Sequence, residues 1–247
     1  MNNNKKMESH NLFYLFTFTI YISLVVQILA AIFNFAILND HLPESEKIEL
    51  RILLDLLGLG LFIQVVEGTF YLWLVNKYKV IQNITPYRYY DWFITTPTML
   101  VVLIVYLCFL NNRELVPNNS KIPNAKKETL FEIVNAEKSI IGVVLILNAL
   151  MLFFGYMGEL GVIKEKLAVF LGFIPFIIYF SMIYYNYARY TEKGLIVFWL
   201  LTTIWALYGV AALMPYFWKN ISYNILDLFS KNFFECYLGY ILWYNIV

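Results

Sequence analysis

From Leu12 to Leu38 the chain runs without one charged side chain. Coiled as an α-helix, that run is ~40 Å long, more than the ~30 Å hydrocarbon core of a bilayer. It is too long for the apolar core of a signal peptide and contains no small-residue cleavage site, so it is expected to be a membrane span. The rest of the chain has the same character. Of 247 residues, 61% are hydrophobic and 14% charged, against roughly 25% charged in soluble domains. Disorder, collagen and small disulfide scaffolds are excluded by the same numbers. The expected class is an all-α membrane protein.

At about 20 residues per span, the length accommodates seven helices with short loops. Apolar runs place them at about 12–38, 52–75, 87–110, 139–158, 167–185, 194–214 and 221–243, as one domain over 1–247. The long polar connection is Asn111–Lys138, and no internal repeat is visible. With the N-terminus outside, the cytoplasmic loops carry nine Lys and Arg and the outer segments seven. The five in the connection between the third and fourth spans (Arg113, Lys121, Lys126, Lys127 and Lys138) set that orientation. A net charge of +1 with no basic cluster gives no reason to expect nucleic acid. Cys108 and Cys236 lie in different apolar runs and read as free thiols. His10 and His41 are far apart and outside the spans, so no metal site is expected.

Charges at bilayer depth cost at least ~2.5–3.5 kcal/mol each and mark candidate functional residues. Arg88 and Asp91 are three apart near the start of the third span. Asp227 and Lys231 are four apart in the seventh, so each pair shares a helix face. Lys231 lies inside NILDLFSKNFFECYLGYIL, too deep for its ammonium to reach water easily. An ion-pair network that only fixes helix packing would use the same four residues. So would a buried lysine holding an aldehyde as a Schiff base, with the aspartates as counter-ions. Near these charges lie Trp92, Trp205 and Tyr208, large rings able to sandwich a flat polyene.

The motifs carrying these residues identify a resemblance. RYYDWFITTP (Arg88–Pro97), WALY (Trp205–Tyr208), LDLFSK (Leu226–Lys231) and GYMGE (Gly155–Glu159) are similar, in order and placement, to motifs of microbial (type 1) rhodopsins. ITTPTML, YGVAALMPY and NISYNILDLFSKNFF resemble the giant-virus members, most of all their first group, regarded as light-gated cation channels. The resemblance implies a seven-helix bundle with all-trans retinal bound inside as a Schiff base on Lys231. It makes Asp91 the primary counter-ion and first proton acceptor, Asp227 the second counter-ion, and Arg88 the gate on the outer side. The hydroxyl of Thr95 would bond the Asp91 carboxylate. Trp92, Trp205, Tyr208, Met157 and Gly158 would line the chromophore pocket. The implied protein is a photoreceptor rather than an enzyme. Its partners are the bilayer and transported cations or protons, in a host-cell membrane if viral, and a homo-oligomer is compatible.

Outward pumps of this family carry a carboxylic donor eleven residues after the acceptor. Here that position is Val102, and Gly209 replaces the usual proline. Two polar residues, Glu67 in the second span and Asn224 two turns before Lys231, are expected as stations of an ion path on the outer side; Glu67 fits equally well as a neutral carboxylic acid hydrogen-bonded between helices. Asp55 reads as a solvated helix end. Glu235, one turn past Lys231, is expected near the cytoplasmic mouth and is the one candidate donor for a pump. A light-gated cation channel is the favoured reading, with an outward proton pump and a photosensor as alternatives.

Overall fold

The structure is a computed structural model describing residues 3–39, 44–115 and 129–246. Lys121, Lys126 and Lys127, whose charges set the expected orientation, lie outside the described residues, as does His41. The elements are α1 (Asn3–Leu38), α2 (Glu44–Lys77), α3 (Thr85–Leu115), α4 (Leu130–Ala136), α5 (Lys138–Glu159), α6 (Glu165–Asn186), α7 (Glu192–Ala212), α8 (Tyr216–Asp227) and α9 (Phe234–Ile246). A π-helical turn, Leu228–Phe233, joins α8 to α9 into one long seventh helix. The segments 10–38, 85–112, 138–159, 165–190 and 192–212 are each long and apolar enough to cross a membrane.

Six of the seven expected spans fall within these helices. The sixth ends two residues early, because α7 stops at Ala212 and Leu213 and Met214 form the turn into Pro215. The short α4 was read as part of a polar connection. It forms because Thr129 and Glu132 make a capping box: each side chain bonds the other's backbone N–H, satisfying two orphan donors.

Along α1 the buried positions are Phe16, Thr19, Ile20, Ser23, Gln27, Ala30, Asn34 and Ile37, one stripe at helical spacing. This stripe faces α2, α8 and α9. Phe18, Leu29, Ile32 and Phe35 lie on the exposed face. Ser23, Gln27 and Asn34 thus point inward while the exposed face is apolar, the arrangement lipid demands. On the other side of the bundle α5 and α6 pack closely. Gly161 turns between them at φ 72°, and a Cβ on Gly158 would strike that of Ala168. Thr191 caps α7 by accepting from the Gly194 N–H.

Candidate functional site

Lys231 sits in the π-helical turn, 2% exposed, at the centre of the bundle. Its Nζ lies 2.9 Å from Asp91 Oδ2, 2.9 Å from Glu67 Oε1 and 3.5 Å from Asp227 Oδ1. The spacing of four between Asp227 and Lys231 does bring them onto one face. The position of Glu67 differs from expectation. It is no separate station on the outer side but a third carboxylate on the amine, equal in distance to Asp91. Glu67 Oε2 and Asp91 Oδ1 each lack a hydrogen-bond partner among the described residues.

Asp227 is the most heavily supported of the three. Tyr71 donates to its Oδ2 at 2.8 Å and Tyr208 to its Oδ1 at 2.7 Å, while Arg88 Nη1 lies 3.4 Å from Oδ2. Ser230 Oγ meets the Tyr208 hydroxyl at 2.8 Å. Arg88 is fully buried, donating to the side-chain oxygens of Asn220 and Asn224, with Phe70 and Tyr223 rings against its guanidinium. Asn224 Nδ2 donates to Thr19 Oγ1 at 2.8 Å, and Ser23 Oγ donates to the Asn224 carbonyl at 3.2 Å. With the Tyr71 hydroxyl also donating to its Oδ1 at 3.2 Å, Asn224 joins α1, α2, α3 and α8 in one polar network on the Arg88 side of Lys231. With Glu67 included, the formal charges around Lys231 and Arg88 are two positive against three negative.

Thr95 does not serve the Asp91 carboxylate: its hydroxyl donates to the Asp91 backbone carbonyl, 3.0 Å away, as threonines inside helices commonly do. Beside Lys231 a cavity opens toward α5, α6 and α7. Trp92, Trp205 and Tyr208 line it, as expected. Met157 and Gly158 do not; Met151, Leu152 and Gly155 take their place, one to two turns deeper along α5. Gly158 is used instead for the tight α5–α6 contact. Trp92 packs edge-on against Tyr208 and Tyr223, at 5.5 and 5.0 Å between centroids.

Glu235 is no mouth residue: it is 0% exposed, and neither carboxyl oxygen has a partner among the described residues. Tyr71 and Asn220 were missed from the sequence, although Asn220, Asn224, Asp227 and Lys231 recur at steps of four, three and four and so mark one stripe. At the Arg88 end of the bundle Lys219 bonds Glu159 at 2.9 Å and also Glu165, tying α8 to the α5–α6 turn. Among the described residues no group of three or more His, Cys, Asp or Glu is placed to hold a metal.

The cavity fits a long apolar chromophore attached to the lysine. It has aromatic walls on one side, and on the other an amine ringed by carboxylates, two of which keep an unpartnered oxygen. Comparison with known proteins agrees. The chain is similar to the viral rhodopsin OLPVRII, with 28% identity over 94% of this chain and 100% of that one, at a TM-score of 0.75. It has the fold of a blue light-absorbing proteorhodopsin from Med12 (17% identity, 93% and 98% covered, TM-score 0.68). It also has that of xanthorhodopsin, described as a light-driven ion pump with dual chromophore (17%, 96% and 95%, TM-score 0.68). No curated protein sequence matches. The family model for bacteriorhodopsin-like proteins matches residues 15–245, and the chain belongs to that family of retinal-binding membrane proteins.

Proposed function

We propose that this chain is a light-gated cation channel, built as a single seven-helix unit with its N-terminus outside. The observation that carries the reading is the line of buried polar side chains on the facing surfaces of α1, α2 and the seventh helix. It runs from Thr19 and Asn224 through Ser23, Gln27 and Glu67 to Gln64 and Asn34. In a bilayer, side chains of this kind are expensive unless they pair or line a water-filled path. Both amide atoms of Gln27 lack a partner among the described residues, as do both of Asn232. Pairing among the described residues therefore does not account for Gln27 and Asn232. Val102, where a pump's donor would stand, is fully buried in an apolar cluster.

In this reading Lys231 holds retinal through its amine nitrogen, and Trp92, Trp205 and Tyr208 hold the polyene flat. Retinal supplies one thing, a light-driven change of shape beside that nitrogen. The protein does the rest. Asp91 and Glu67 balance the positive nitrogen in the dark and are the groups placed to accept its proton. Asp227, fixed by Tyr71, Tyr208 and Arg88, stays in place as a constant negative charge. Arg88, wedged between Asn220 and Asn224, closes the outer end until the charge pattern below it changes.

An outward proton pump is the second reading, favoured by one observation: a buried acid, Glu235, lies one turn beyond Lys231 on the side away from Arg88. Illuminated cells expressing the chain, with voltage swept under a cation gradient, separate the two. The channel reading requires a photocurrent that reverses with the gradient. A current of one sign at every voltage would replace it with the pump.

A further inference from the structure

Beyond the lysine, on the side away from Arg88, three helices each bring a buried polar side chain to the same stretch of the bundle. Asn34 of α1 donates through Nδ2 to Gln64 Oε1 of α2 at 3.1 Å. Glu235 of α9 lies against α2 at Gly60, so closely that a Cβ on Gly60 would overlap its carboxyl. Asn34 Oδ1 lies against α9 at Gly239, 2.8 Å from where a Cβ would stand. Gly60 and Gln64 are one turn apart on α2, and Glu235 and Gly239 one turn apart on α9. The two glycines therefore make room in one stretch of the bundle for the carboxyl and the amide. All three side chains are buried, at 0–1% exposure. Glu235 Oε1 and Oε2, Asn34 Oδ1 and Gln64 Nε2 have no hydrogen-bond partner among the described residues.

A buried carboxyl with two idle oxygens is costly in a protein interior, and an idle amide oxygen beside it adds to the cost. Neither is a packing accident, since glycine on the opposite helix creates the space each fills. Three acceptor oxygens from two helices form a hard-oxygen set, and the Gln64 amide can turn its oxygen inward to add a fourth. Formal charge chooses the ligand. With Glu235 ionised, the set carries one negative charge, and its walls are apolar. One positive charge is neutralised there, whereas a divalent ion would keep a net charge in a low-dielectric site. Toward the end of the bundle where α1 stops and α2 begins, Leu53, Leu57, Leu238 and Leu242 are fully buried and form an apolar layer. Such an apolar constriction holds back ions until it wets.

We infer that Asn34, Gln64 and Glu235 form a binding station for a single, partly dehydrated monovalent cation, between Lys231 and an apolar gate. As a step in conduction, the station rests on the channel reading; as a binding site it is tested separately. Binding is read first on purified, retinal-loaded full-length protein. Infrared difference spectra on adding sodium chloride, against a large organic cation as control, are expected to show a carboxylate band that disappears in Glu235→Gln. A parent protein with no sodium-dependent carboxylate band would overturn the station, whatever the currents do. Conduction is read in voltage-clamped cells over a series of sodium concentrations. Glu235→Gln is expected to raise the half-saturating sodium concentration about tenfold or more, the effect of ~1.4 kcal/mol of lost binding. Gly60→Ala, which leaves the charge but displaces the carboxyl, should move it the same way. Unchanged pigment colour shows that each variant has folded around its chromophore. Currents that reverse with the gradient yet saturate like the parent's in both variants would remove the station and leave the channel. A sodium band with a current that never reverses would keep the station and remove the channel.

Discussion

Two carboxylates at equal distance from one nitrogen make a redundant pair, and redundancy has a measurable signature. Glu67 and Asp91 each place one oxygen 2.9 Å from Lys231 Nζ and leave the other unpartnered. With Arg88 already matched to Asp227, the nitrogen needs one negative charge, and the pair offers two. The cluster is therefore neutral when the pair holds one proton between its members. A unit charge at 2.9 Å, at an effective dielectric constant of about 20, is worth about 6 kcal/mol of ground-state attraction. Asp91→Asn removes one carboxylate and leaves Glu67 ionised in its place, so most of that attraction survives. Glu67→Gln does the reverse. The double variant loses both close carboxylates and keeps only Asp227, 3.5 Å away and shared with Arg88. Because excitation moves positive charge away from the nitrogen, losing the counter-ion lowers the excitation energy and shifts absorption to the red. Each single variant should absorb close to the parent, and the double variant well to the red of the two single shifts combined. This non-additivity is what a double-mutant cycle detects between residues sharing one partner. The assay is an absorption spectrum of each purified pigment at one pH and salt concentration. If Asp91→Asn alone reaches the full red shift while Glu67→Gln has none, Asp91 is the sole counter-ion and the shared pair is wrong.

Three further outcomes follow from the same geometry. Lys231→Ala should abolish the coloured pigment on retinal addition; a red-shifted covalent adduct in that variant would contradict the attachment site. Tyr208→Phe deprives both Asp227 and Ser230 of a partner and should lower stability by about 1–3 kcal/mol, read as the thermal midpoint of colour loss. Lys219→Met strips the buried Glu159 of its ammonium partner and should cost a comparable ~2–4 kcal/mol. Adding Glu159→Gln should recover part of it, and an unstabilised double variant would show that the ion pair contributes little.

The spans were legible because lipid leaves its mark on every residue of a helix: long uncharged runs bounded by charge admit few other readings. Asp227 and Lys231 were legible for a local reason, a spacing of four within one helix. Glu67 was not. Its neighbours VVEGTFYLW are apolar on all sides, so neither its height nor its rotation could be set by pattern, and only the packing of α2 on α9 decides both. A hint lay in Tyr71, four residues on, whose hydroxyl reaches Asp227 on the same face. The misplacement of Met157 and Gly158 has a similar origin: the cavity floor depends on how deeply α5 is inserted beside α6. The capping box of α4, TLFE, was in plain view, but a seven-residue helix has no periodicity to draw attention to it.

The π-helical turn left no trace in the sequence, since Leu228–Phe233 reads like any other apolar helix. A π turn closes its hydrogen bonds over five residues instead of four, so it stores one residue more than the α-helix around it needs. That spare residue lets the turn serve as a swivel: torque applied at Lys231 can be taken up there as rotation of α9 against α8 instead of passing along an unbroken helix. An unbroken helix would transmit the same torque along its whole length and disturb Arg88's partners Asn220 and Asn224 together with Gly239. With a swivel at the lysine, the two ends of the seventh helix can respond to light one after the other, so the outer and inner ends of the bundle need not open at the same moment.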